Sequence, residues 1–303
     1  MTPLAATEPR SEASGLRAPR AGRNLGRRAI RAAFWYTVLS ALSLLFLFPF
    51  LWSVGSSLKT LNQVYEFPPT LLVEHPQWSN YVEAMTALPS LLFPRFILNS
   101  FIVCSLSVLG QLVSASMVSF AFARLRWRGR RFWFIVVLAT LMLPFQLLVI
   151  PQFLIFKSIG WVNTFKPLIV PAWLGGGAFA IFLLRQFFMS IPRDLEDAAR
   201  LDGASDFQVL WHIMLPLSKP ALITIGVLSF VATWRSFFAP LIYLASPEKY
   251  TTAMGLLMFQ STHGSFANLL MAASVITALP VVILFFAAQR FLVRGILLTG
   301  MKG

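Results

Sequence analysis

The sequence is poor in acid. Its 303 residues carry 11 Asp and Glu against 25 Lys and Arg, a formal net charge of +14, and charged residues are only 12% of the chain. A soluble globular domain carries about twice that charged fraction. Cysteine occurs once, as Cys104 in an apolar run, so no intrachain disulfide forms and the thiol reads as a small buried hydrophobe. The three histidines, His75, His212 and His263, lack metal-ligand spacing. No nucleophile–base pair accompanies them, which argues against a metal site or a catalytic centre. No Gly-Lys dipeptide exists, hence no P-loop to cradle nucleotide phosphates. The basic excess gathers in short segments between charge-free runs instead of lining a groove, so no nucleic-acid partner is expected.

Apolar residues fill the space that charge leaves. The chain is 57% hydrophobic with a mean hydropathy of +0.72. Six runs, at 34–58, 96–123, 132–156, 167–184, 220–243 and 269–288, are each long enough to cross a hydrocarbon core of about 30 Å as a helix. The first exceeds the roughly 7–15 residues of a signal-peptide core, and no A-x-A site follows it, so it reads as a span. Pro144 and Pro151 break the third run, and Arg235 interrupts the fifth. Pro171 with Gly175, Gly176 and Gly177 predicts a bent or closely packed fourth. No acidic residue falls inside any run. That counts against transporters that carry protons or sodium on intramembrane carboxylates.

Residues 1–32, rich in Ala, Gly and Pro with seven arginines, read as a basic disordered tail. Six spans place both termini on one side of the membrane. The segments on that side hold 19 Lys and Arg, the loops opposite hold five, and the positive-inside rule therefore makes both termini cytoplasmic. The polar interval 191–220, IPRDLEDAARLDGASDFQVLWHIMLPLSKP, falls on the same side and holds five of the eleven carboxylates. Its pattern predicts two short helices around a glycine turn. Pro192 and the acids suit a helix start, Ala198 and Ala199 favour helix, and Gly203 stops it. Ser205 caps a second helix over 206–212, which Pro216 prevents from running on. Such an island lies outside the bilayer, where a partner in the aqueous phase can reach it.

The interval resembles the EAA loop of permease subunits of bacterial binding-protein-dependent ABC importers, whose pattern is E-A-A-x3-G-x9-I-x-L-P. Here it reads Asp197-Ala198-Ala199, Gly203 and Ile213-Met214-Leu215-Pro216 with every spacing kept and Asp in place of Glu; Glu196 offers the glutamate one residue earlier. FARLRWRGR at 122–130, IFLLRQFF, LDGAS, LPLSKPAL, LLMAAS and the terminal MKG resemble the carbohydrate, maltose/glycerol-phosphate-type branch, over residues 30–303.

The resemblance implies an all-α, polytopic type I importer permease fold over residues 33–303, in the bacterial cytoplasmic (inner) membrane. It implies no cofactor in this chain, because ATP and Mg belong to a separate ATPase. The implied partners are a second homologous permease in a heterodimer, two cytoplasmic ATPase subunits and an extracytoplasmic solute-binding protein, besides membrane lipid. The loop becomes the coupling element seated in an ATPase groove. Glu196, Asp197, Ala198, Ala199, Asp202, Gly203, Leu210, Trp211, Ile213, Leu215 and Pro216 form it, with Leu210 and Trp211 as apolar anchors. A carbohydrate would move by ATP-driven alternating access. Glycerol phosphate or another small polar solute, and an ion-coupled secondary transporter, stand as alternatives.

For the substrate pathway the candidates are Trp234, Arg235, Gln146 and Asn99. Relatives have Trp-Asn where this chain has Trp234-Arg235. An arginine within a span costs at least about 2.5 kcal/mol, so Arg235 either donates to sugar hydroxyls or an anionic group, or snorkels to the headgroups. Trp234 either stacks on a sugar or belongs to an interfacial belt. Gln146, Asn99 and Gln111 either line the path or join helices. The resemblance implies that the outer loop 244–267 is the counterpart of one that reaches into the docked binding protein. The five arginines between 124 and 131 read as a topology determinant beside anionic headgroups.

Overall fold

The computed structural model describes residues 22–86, 93–261 and 264–300. By backbone contacts the chain divides into two units, residues 1–52 and 53–303. The first holds most of a helix, Gly22–Ser57, which begins eleven residues earlier than the expected tail allows. Its opening GRNLGRRAIRAA is dominated by good helix formers, so helix continues out of the apolar run. Residues 1–21 of the expected tail lie outside the described residues.

Lipid offers backbone groups no hydrogen bonds, and the apolar runs fold as helices. Among the described residues four are long and apolar enough to cross a membrane: Arg28–Ser57, Phe93–Ala123, Lys166–Ser190 and Ala267–Phe291. Two further candidates are bent pairs. Arg130–Met142 meets Phe145–Ser158 at 101°, and Asp206–Leu217 meets Lys219–Trp234 at 78°. The first bend falls at Pro144, whose ring pushes Leu143 into extended backbone (φ −85°, ψ 112°), whereas Pro151 is tolerated inside the second helix. In the fifth run the helix stops at Trp234 and resumes as Phe238–Tyr243. The run is thus interrupted at Arg235, as the sequence predicts, and Arg235 itself occupies the C-cap of the Lys219–Trp234 helix. A two-residue antiparallel pair, Gln260–Ser261 with Gly264–Ser265, is a minor addition to the helical plan.

In the second unit the Phe93–Ala123 helix is central, packing against Lys166–Gly175, Ala178–Ser190 and Lys219–Trp234. Its buried Ser100, Ser107, Ser114, Ala115 and Ser119 are small enough for helix backbones to approach closely. Two of these serines also tie helices together: Ser107 Oγ donates to Leu168 O (3.0 Å) and Ser119 Oγ to Ile181 O (2.9 Å). Three buried clusters follow one another along this helix. Phe93, Phe96 and Phe259 form one, Ala115, Leu184 and Ile225 the next, and Phe120, Phe188, Leu210 and Met214 the last. The outward side carries Leu98, Leu106 and Leu109, exposed apolar groups that suit lipid.

The fourth run breaks at its glycines. Gly176 (φ 62°) closes Lys166–Gly175, and Gly177 (φ 73°) opens Ala178–Ser190. A Cβ on Gly176 would lie 2.5 Å from Ala115 N, so left-handed backbone and lack of space both require glycine there. Gly176→Ala should destabilise the subunit by at least about 1–3 kcal/mol. Thermal unfolding of the purified subunit in detergent checks this; a transition unchanged from the wild type would refute the packing argument.

Candidate functional site

The loop folds as its residues dictate. Asp194, Glu196 and Asp197 lie in the first turn of the helix Asp194–Leu201, where negative charge is favoured, and Arg200 lies in its last turn. The helix ends in a Schellman turn: Ala204 N donates to Ala199 O (2.9 Å) and Gly203 N to Arg200 O (3.0 Å), with Gly203 at φ 86°. Ser205 then forms a capping box with Gln208 and starts Asp206–Val209. Arg200 Nη2 pairs with Asp206 Oδ1 at 2.8 Å across the turn.

Beyond Val209 the expected end is not where the chain stops. Leu210–Met214 is a π-turn and the helical path continues through Leu215–Leu217 before Lys219–Trp234 begins. Pro216 is carried inside this last stretch. The widened turn just before it relieves the clash of its ring with the preceding turn, which would have ended a regular α-helix.

The loop residues sort into two faces. Val209, Leu210 (4% exposed) and Met214 pack inward on Phe120, Ala123, Phe188 and Ile191. Leu210 therefore anchors the loop to its own subunit, a correction to its expected role as an outward anchor; as its side chain follows Val209 into the cluster, only Trp211 turns out. Ala199, Ile213 and Leu215 are half-buried, while Asp197, Ala198, Asp202, Gly203 and Pro216 are exposed. Large apolar groups are exposed alongside them, foremost Leu201 (91%), Phe207 (61%) and Trp211 (54%), with Leu195 and Leu217 less so. Phe207 and Trp211, one helical turn apart, stack with ring centroids 6.2 Å apart.

Glu196 and Asp197 part company. Asp197 is exposed, whereas Glu196 is buried and its Oε1 lies 2.7 Å from Arg124 Nε. Glu196 is thus a correction: it faces its own subunit and not the solvent. Arg124 Nη2 also donates to Phe188 O and Ile191 O (both 2.5 Å), the carbonyls where the Ala178–Ser190 helix ends. One guanidinium therefore joins the end of the Phe93–Ala123 helix, the end of Ala178–Ser190 and the loop. Burial raises the carboxyl of Glu196 above its ordinary pKa, opposed by the charge of Arg124. Burial lowers the guanidinium of Arg124 in turn, opposed by Glu196. By sequence Arg124 is one of five equivalent topology arginines. The available signal was its place immediately after the last apolar residue of a span, unlike the four that follow.

The second candidate site is a cavity of about 460 Å³ among the spans, within the range of small-molecule sites. Its polar lining comes from Ser100, Gln152, Thr233, Ser236, Tyr243 and Thr251, with Cys104 and Pro171 among the apolar walls. Tyr243 Oη donates to Gln152 Oε1 at 3.3 Å. None of the four residues expected to line a substrate path is among its lining residues. Trp234 is 3% exposed, donates from Nε1 to Thr277 O (3.1 Å) and stacks on Phe230, so its faces are taken. Asn99 Nδ2 donates to Glu248 O and Tyr250 O (both 2.9 Å), stapling the 247–251 segment to the central helix. Gln146 and Arg235 are exposed, each one residue from a lining residue (Phe145, Ser236). The polar lining was missed because single Ser, Thr and Gln residues in apolar runs carry no periodic signal.

His263 of the expected outer loop lies outside the described residues. Among the described residues no group of three or more His, Cys, Asp or Glu could hold a metal.

Comparison with known proteins agrees with this geometry. The family described as binding-protein-dependent transport system inner membrane component matches residues 113–298, which include the loop and its Arg124 clamp. The arabinooligosaccharides transport system permease protein AraQ of Halalkalibacterium halodurans is 36% identical over 205 residues, 68% of this chain and 73% of the relative. The trehalose/maltose transport system permease protein MalG of Thermococcus litoralis is 33% identical over 264 residues, 86% of this chain and 94% of the relative. In fold, the chain is similar to a chain of a bacterial ABC transporter involved in the import of the acidic polysaccharide alginate, with a TM-score of 0.73 at 24% identity over 90% of this chain and 98% of that one. The helical fold with four to six candidate membrane spans among the described residues, the loop on its two short helices and the match over residues 113–298 together make this chain a member of the binding-protein-dependent transport system inner membrane component family.

Proposed function

We propose that the chain is the membrane-spanning subunit of an ATP-driven carbohydrate importer and that Leu201, Phe207 and Trp211 dock on a separate ATPase. The observation that carries this reading is the two-faced loop. An aromatic knob stands exposed beside acidic residues, and Arg124 and Glu196 clamp its base to two span ends. Apolar side chains exposed in water mark a binding surface. A knob joined through one buried guanidinium to the ends of Phe93–Ala123 and Ala178–Ser190 moves those helices when it is displaced.

In this mechanism ATP binding draws two ATPases together, the loops follow, and the spans of this chain and of a second similar permease rock about the cavity. The cavity would open alternately to an extracytoplasmic binding protein and to the cytoplasm. Both termini lie on the cytoplasmic side of the inner membrane with the loop. Gln152, Thr233, Ser236 and Tyr243 offer neutral donors and acceptors in an apolar setting, which suits a hydroxyl-rich, uncharged solute. The names of the relatives, transporters of oligosaccharides and disaccharides, point to the same class.

The test is reconstitution with the ATPase, the second permease and the binding protein in liposomes. ATP hydrolysis stimulated by sugar-loaded binding protein, with uptake across a panel of sugars and glycerol phosphates, is the expected result. Uptake that persists without ATP under an ion gradient would rule the reading out. In the same system Gln152→Leu should raise KM for uptake roughly two- to tenfold through loss of one hydrogen bond, with ATP hydrolysis still coupled. An unchanged KM would exclude this cavity from the sugar path.

A further inference from the structure

Beside the Arg124 clamp lies a second cavity, of about 450 Å³, lined by Arg130, Arg131, Phe134, Ile135, Leu138 and Arg185. No carboxylate is among its lining residues. Two of its three guanidiniums are held in place by the protein. Arg130 Nη1 donates to Leu125 O (2.9 Å), and Arg185 Nε donates to Phe122 O (3.3 Å) while its guanidinium carbon lies 4.1 Å from the Phe134 ring centroid. Arg131 is exposed at the rim. The remaining lining is apolar: Phe134, Ile135 and Leu138 belong to the Arg130–Ala139 helix, so they continue from the guanidiniums along a helix of the first bent pair.

Positive charge without acid at one end and an apolar wall at the other match an amphiphile with an anionic head. We propose that this cleft binds one anionic phospholipid, with its phosphate on Arg130, Arg131 and Arg185 and an acyl chain along Phe134, Ile135 and Leu138. A guanidinium fork fits phosphate oxygens in pairs, and a neutral sugar would leave the three charges unpaired. The site is specific because two of its arginines, Arg130 and Arg185, are fixed by backbone carbonyls and a ring. Arg126 and Arg128 of the same loop are exposed and lie outside its lining. The inference stands apart from the cargo and from the ATPase reading.

Native mass spectrometry of the intact transporter, purified in neutral detergent and titrated with lipid, tests it. Phosphatidylglycerol should be retained at one copy per subunit, and phosphatidylcholine and inorganic phosphate should not. Arg131→Gln and Arg185→Gln should each lower retention about fivefold, and Arg128→Gln should leave it within twofold. Equal losses in R128Q and R131Q would mean diffuse attraction to a basic loop and overturn the site. Full displacement of lipid by equimolar inorganic phosphate would remove the acyl wall from the argument and overturn the lipid assignment. If R185Q does not assemble, R131Q decides alone, because Arg131 is exposed and makes no interior contact required for folding.

Discussion

Arg124→Ala should give a subunit that still inserts in the membrane but no longer supports ATP-driven uptake. Arg124 and Glu196 are both buried, and removal of the guanidinium leaves a carboxylate without its counter-charge 2.7 Å away. Breaking such a buried pair from one side costs about 3–5 kcal/mol, enough to detach the loop from the span ends. The carbonyls of Phe188 and Ile191 lose their donor in the same step. Uptake and ATP hydrolysis measured together in reconstituted vesicles read the effect: hydrolysis should lose its dependence on loaded binding protein. Arg124→Ala combined with Glu196→Ala should recover part of the thermal stability, since no unpaired charge remains, without recovering uptake. Uptake by R124A within twofold of the wild type would show that the clamp does not transmit motion.

The second large effect separates the two faces of the loop. Phe207→Ala and Trp211→Ala should each weaken ATPase association by about 2 kcal/mol or more, roughly 30-fold, as exposed aromatic anchors do at interfaces. Their thermal stability should stay within about 0.5 kcal/mol, because both side chains are exposed in the subunit. Leu210→Ala should behave in the opposite way. Its side chain fills the cluster with Phe120, Phe188 and Met214, so truncation should cost about 2–5 kcal/mol of stability. Association measured by surface-immobilised ATPase, with unfolding in detergent as the parallel readout, distinguishes them. Full-strength association by the F207A/W211A double variant would place the ATPase contact elsewhere.

The legible part of the loop was local. Acids in a first turn, Gly203 at a left-handed turn and Ser205 at a cap are each decided by a residue and its neighbours within four positions, and each is found where the sequence predicts it. The π-turn at 210–214 was not legible. A proline can end a helix or be absorbed by a widened turn, and the choice rests on Val209, Leu210 and Met214 finding a cluster in distant helices. Arg235 shows the same limit: the sequence marks an interruption of the fifth run there, but that the helix ends at Trp234 with Arg235 as its cap is seen only in the fold.

By itself the sequence determined that the chain is a helical membrane protein, because long charge-free runs have no other way to satisfy their backbone in lipid. It also determined that a polar two-helix loop interrupts those runs, and its spacing named the family. Only the tertiary structure decided which loop residues look inward. Glu196 and Asp197 differ by one position and one methylene, yet a step of 100° around a helix sends one to Arg124 and the other to solvent. Only the tertiary structure, likewise, gave Trp234 and Asn99 hydrogen-bond partners within the subunit and put Gln152 and Tyr243 in a shared cavity. Those assignments depend on which helices meet, and side chains some 90 residues apart in the chain carry no mark of their meeting.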